Sequence, residues 1–109
     1  MAYDEALAAR IREALQGRDA VTERKMFGGI AFMVGGNMAC GVIRDDLMVR
    51  VGPDAHDAAV AEPHVRPMDF GHRPMRGMVY VAPDGVRSAE DLARWVHAGA
   101  TMAASLPPK

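Results

Sequence analysis

A chain of 109 residues, half of them hydrophobic and a quarter charged, has the size and composition of one globular domain spanning 1–109 and excludes an extended disordered chain. Its 13 basic and 14 acidic residues leave a net charge of −1, so no basic stripe is available to neutralise a row of phosphates, and direct nucleic-acid binding is disfavoured. The single cysteine excludes an internal disulfide and a cysteine-based zinc cage, the N-terminus is acidic, and no run approaches the roughly 20 apolar residues of a membrane helix, which together predict a cytoplasmic protein with no membrane association.

From Ala2 to Gln16, Tyr3, Leu7, Ile11, Ala14 and Leu15 recur at helical spacing, with Asp4 and Glu5 in the first turn and Gly17 where a C-terminal cap belongs. Val21 to Met26 then has a β-branched start and mixed polarity, which predicts a first strand with one wet face near a sheet edge. Phe27-Gly28-Gly29 turns the chain into the next strand; two adjacent glycines match no phosphate-binding loop. Ile30 to Val34 and Met38 to Ile43 are apolar at almost every position, so both faces of these strands should be hidden from water. Gly35-Gly36-Asn37 makes a short hairpin between them. Arg44-Asp45-Asp46 makes the next reversal, into Leu47, Val49 and Val51 on one face with Met48 and Arg50 on the other.

Beyond Gly52-Pro53, Asp54 to Ala61 is a short helix bounded by Pro63. Glu62 to Pro74, rich in Pro, Gly and His, predicts an irregular loop that wraps an edge of the domain. Met75 to Val81 is a last strand, followed by a turn at Ala82-Pro83-Asp84-Gly85. Ser88 is placed to cap a final helix whose apolar stripe is Leu92, Trp95, Val96, Gly99, Met102, Ala103 and Leu106, ended by Pro107-Pro108. The fold class is therefore α+β: a single antiparallel sheet of about five strands with a central meander, flanked by N-terminal and C-terminal helices plus a short middle helix.

Little in this order carries chemistry. Cys40 sits inside an apolar strand, where a thiol behaves as a small hydrophobe. His56, His64 and His72 are spaced by eight, but Pro63, Pro67 and Gly71 exclude one helix through them, so they read as loop histidines and not as a metal-ligand set. His97 reads as a boundary residue on the last helix. No Ser/His/Asp ordering stands out, and Asp45 and Asp46 are accounted for by turn chemistry. Nine methionines are more unusual, and Met26, Met33, Met38, Met48, Met68, Met75 and Met78 lie in or beside the expected sheet. Flexible thioethers suit either core filling or an adaptable partner surface.

Three segments carry a family likeness: Lys25-Met26-Phe27-Gly28-Gly29 ahead of the hairpin, Leu47-Met48-Val49-Arg50-Val51 after the aspartate turn, and Arg73-Pro74-Met75-Arg76-Gly77-Met78-Val79-Tyr80-Val81 before the final helix. On these the chain resembles the N-terminal domain of the TfoX (Sxy) family, bacterial regulators of natural competence. The resemblance implies an α+β domain with one antiparallel sheet, and a role in transcription of competence genes alongside a cyclic-AMP-responsive activator. Full-length members carry a further helical domain, and the chain is expected to be a stand-alone N-terminal domain. No functional residue transfers from the resemblance.

The expected function is a non-enzymatic regulatory or protein-interaction domain, with an unknown protein partner that could itself be a transcription regulator. No enzyme activity, cofactor or metal is expected. A homodimer is predicted because central strands apolar on both faces have only two substantial helices to cover them. The alternative is a small-molecule or metal-binding domain, catalytic or not, using the 62–76 loop, with His64, Asp69, His72 and Arg73 as candidate ligand or partner residues. Third comes direct DNA binding through Arg10, Arg12, Arg18, Arg24 and Lys25.

Overall fold

A computed structural model describes residues 3–26, 28–70 and 73–108. In chain order it contains α1 (Glu5–Ala14), β1 (Val21–Met26), β2 (Gly29–Val34), β3 (Asn37–Ile43), β4 (Asp46–Arg50), α2 (His56–Val60), β5 (Val65–Phe70), β6 (Arg73–Val81), a 3-10 turn (Pro83–Val86) and α3 (Ala89–Ser105). The six strands form one antiparallel sheet in the order β1-β2-β3-β4-β6-β5. This is the expected α+β architecture with one more strand.

Local chemistry sets most of the boundaries. Asp4 caps α1, its Oδ1 accepting the Leu7 N–H at 3.1 Å, and Ser88 caps α3 by accepting the Asp91 N–H at 3.0 Å. Gly35 and Gly36 both take positive φ, 61° and 84°, as the two-residue hairpin between β2 and β3 requires. Phe27 of the preceding turn lies outside the described residues.

The extra strand corrects the expectation of an irregular loop over 62–74. Pro67 sits in β5, which is the sheet edge, where a missing N–H costs no ladder bond to a further neighbour. Pro74 falls where β6 has run past β4, since the β4 pairing ends at Arg50 opposite Met78. Two prolines that argue against a central strand are thus compatible with this hairpin.

All three helices lie over one face of the sheet. Leu7, Ala8 and Ile11 of α1, Ala59 of α2, and Leu92, Trp95, Val96, Ala100 and Ala103 of α3 join Ile30, Phe32, Val42, Leu47, Val49, Val79 and Val81 in the main core. α3 packs across β2, β3 and β4, and its closest approach is at Gly99, where a Cβ would collide with the Ala39 carbonyl oxygen. Buried Asn37 donates Nδ2 to the Pro107 carbonyl at 2.9 Å, tying the end of α3 to the hairpin. The Gly77 N–H donates to His56 Nδ1 at 2.9 Å and so fastens α2 to β6.

Candidate partner-binding face

The sheet's other face is built by strand alternation and two interruptions of it. On β2, Ile30, Phe32 and Val34 enter the main core, so Ala31 and Met33 point the other way. On β4, Leu47 and Val49 enter the core and Met48 and Arg50 point away; on β6, Val79 and Val81 enter and Met78 and Tyr80 point away. β3 would send Met38 to the helix side with Cys40 and Val42. A bulge prevents this: Phe32 pairs with Cys40 but Met33 pairs with Met38, leaving Ala39 as an extra residue. Ala39 and Cys40 both join the main core, and Met38 turns to the far face opposite Met33. A second irregularity between Pro67 and Asp69 places Met68 on that same face.

The result is a second apolar cluster. Met48, Met68 and Met78 are buried, and Met38, Ile43 and Tyr80 pack on them while only partly buried themselves. Every one of these is a strand residue, so among the described residues no helix contributes to this layer. Arginines border it. Arg66 lies over the Tyr80 ring at 4.6 Å and donates to Asp46 Oδ2 at 2.6 Å. Arg50, half-buried and opposite Met78, donates Nε to the Met38 carbonyl at 2.6 Å. Arg24 is exposed on β1, opposite Ala31.

Other expected site residues are not gathered. His64 is exposed at the entry to β5 with φ 69°, its carbonyl accepting the Ala82 N–H at 2.8 Å. Asp69 lies five positions further along an extended strand, roughly 15 Å away by strand rise, and its backbone pairs with Pro74. Arg73 pairs with Phe70 at the far end of the hairpin, and His72 lies outside the described residues. No three His, Cys, Asp or Glu side chains come together among the described residues. Cys40 is buried, and burial pushes its thiol up to about 12, so the sulfur is protonated at neutral pH. The five cations considered for DNA are also dispersed. Arg12 is bound to Glu23 at 2.6 Å, Arg10 donates to the Val86 carbonyl at 2.8 Å, and Arg24 and Lys25 fall on opposite faces of β1. His97 is exposed on α3, 3.5 Å from Arg18 along an open cleft between α1 and α3.

The model of the TfoX N-terminal domain matches residues 13–103, which include every strand of the sheet and most of α3. The chain belongs to the TfoX N-terminal domain family. No curated protein and no solved structure matches it. The matched span of this TfoX N-terminal domain contains the methionine face and the helix-covered core except Leu7, Ala8 and Ile11 of α1, so the two layers belong to the same unit.

Methionine clustering was visible in the sequence, and so was the placement of Met48 and Arg50 opposite Leu47 and Val49. The bulge at Ala39 was not, because an extra residue is defined by the partner strand's register. Without it neither the Met33–Met38 pair nor the role of Arg50 on that carbonyl can be assigned.

Proposed function

We infer that this TfoX N-terminal domain is a non-enzymatic regulatory domain that acts by binding another protein through its methionine face, in the control of transcription that its family name suggests. The observation that supports this is the second apolar cluster made of strand residues alone. An antiparallel sheet with helices on one face commonly keeps the other face polar and solvated, so an apolar second face is a departure, and flexible thioethers at its partly exposed rim suit a surface that must repack against a partner.

Expression profiling tests the proposal. Transcripts that respond to raised levels of the chain should stop responding when Met38, partly buried on the methionine face, is changed in Met38→Asp. They should still respond with Thr101→Asp, which alters an exposed position on α3. Circular dichroism should confirm that both variants are folded. Equal responses from both, or no response to the unaltered chain, would count against the proposal.

A further inference from the structure

The methionine face carries a charge pattern that selects its occupant. Arg24, Arg50 and Arg66 lie on it, and among the described side chains the one carboxylate there, Asp46, is bound to Arg66. Among the described side chains, three cations against one carboxylate leave a surplus of +2. Arg76, next along β6, is bound to Asp57 of α2. Arg50 is the best placed of the three. Its Nε is engaged by the Met38 carbonyl, which ties the guanidinium to the methionine cluster, while its Nη groups make no protein hydrogen bond among the described residues. A guanidinium held in this way is prepared to take a carboxylate in a bidentate pair.

The geometry also favours a helix over a strand. Both sheet edges are guarded against strand addition: β1 presents exposed Glu23, Arg24 and Lys25, and β5 contains Pro67. On the opposite face α3 covers β2, β3 and β4, and those same strands carry Met33, Met38 and Ile43 on this one. A helix laid across them would complete a second layer of the same kind. A second copy of the chain fits less well, because both halves of such an interface would carry the same surplus of arginines.

We propose that the methionine face binds an amphipathic helix of a partner protein, with apolar side chains entering among Met33, Met38, Ile43 and Tyr80 and flanking carboxylates meeting Arg50 and Arg24. This rests on the protein-binding function proposed above and adds the chemistry of the partner.

Selection from a displayed library of helical peptides decides it. Each peptide carries one apolar stripe, and its flanking positions are drawn equally from Glu, Lys and Gln. The target is the intact chain carrying methyl-labelled methionine. Enriched peptides should be rich in Glu, should move the Met33 and Met38 methyl resonances, and should bind less tightly as salt rises. They should weaken by more than roughly tenfold on Arg50→Gln, which keeps an amide donor for the Met38 carbonyl. Arg24→Gln, at an exposed position, provides a variant that does not threaten folding. Enrichment of Lys-rich or neutral peptides on the same methyls, or methyl shifts that depend on protein concentration without peptide, would keep an interaction surface and overturn the acidic helix. No enrichment and no concentration dependence would overturn both the helix and the protein-binding function.

Discussion

Cys40 illustrates how position decides chemistry at the scale of a single residue. Its side chain is fully buried beneath the helices, and desolvation pushes its thiol up to about 12. The thiolate is the reactive species, so a thiol reagent should label the native protein slowly and the denatured protein at the rate of a free cysteine. Rapid labelling at neutral pH without denaturant would show that the main core opens around β3. Glu23 shows the opposite effect at the surface. Its hydrogen bond with Arg12 holds the carboxyl below its ordinary value. A carboxyl depressed in the folded state adds stability above its unfolded titration and loses it as pH falls through the folded one. Both partners are more than a third exposed, so solvent screening limits the pair to less than about 1 kcal/mol. Urea unfolding should therefore show Glu23→Gln slightly destabilised at neutral pH, with the difference shrinking to nothing as the pH is lowered from the ordinary glutamate value through the folded one. A difference that persisted in acid would assign the effect to packing of Arg12 near Phe32 and not to charge.

The contact between α3 and β3 is where the fold is least tolerant at the scale of elements. Gly99 lets the helix approach until a Cβ would meet the Ala39 carbonyl, a backbone atom that cannot rotate aside. Gly99→Ala gains helix propensity but must lift α3 off the sheet, and overpacking of this kind costs about 1–3 kcal/mol. Thermal unfolding should show a lowered Tm; an unchanged or raised Tm would mean that the helix has another seat on the sheet. α3 itself was legible, since Ser88, the acidic first turn and an apolar stripe centred on Trp95 are all local signals. The meander β1 to β4 was legible for the same reason, each reversal being marked by glycines or aspartate. β5 was not. Pro67, between Pro63 and Pro74, reads as loop because local sequence cannot say that a strand is at an edge, and only the β6 pairing makes it acceptable. The bulge at Ala39 and the irregularity near Met68 were hidden for a related reason, since both exist only relative to the neighbouring strand. The candidate site was legible to the extent of its methionines and no further. Arg50 and Arg66 act through contacts on other strands, and His64 and Asp69 looked adjacent only while the chain between them was taken as a loop.

For the molecule as a whole, one sheet separates two apolar layers of unequal character. The layer beneath the helices contains the only tryptophan, Trp95, whereas the other consists of strand residues rich in methionine. A homodimer was expected because the strands are apolar on both faces, and the arginine surplus on the methionine side gives a physical reason for a different chain to sit there. The two layers are not separate folding units. β3 and β4 alternate between them, Cys40, Val42, Leu47 and Val49 facing one and Met38, Ile43 and Met48 the other. Neither layer can come apart without withdrawing residues from its counterpart, so the chain should unfold in one cooperative step. Trp95 fluorescence reports the helix side and the labelled methyl of Met38 reports the far side, and their denaturant midpoints should coincide. Met48→Ala, at a buried methionine-face position, should lower both midpoints together at a cost of about 2–5 kcal/mol. Met33→Gln, at a partly exposed position on the same face, should cost less than about 1 kcal/mol while weakening any peptide held there. A Met38 transition that precedes the Trp95 transition would instead show that the methionine layer opens independently, and a partner would then have to order that layer as it binds.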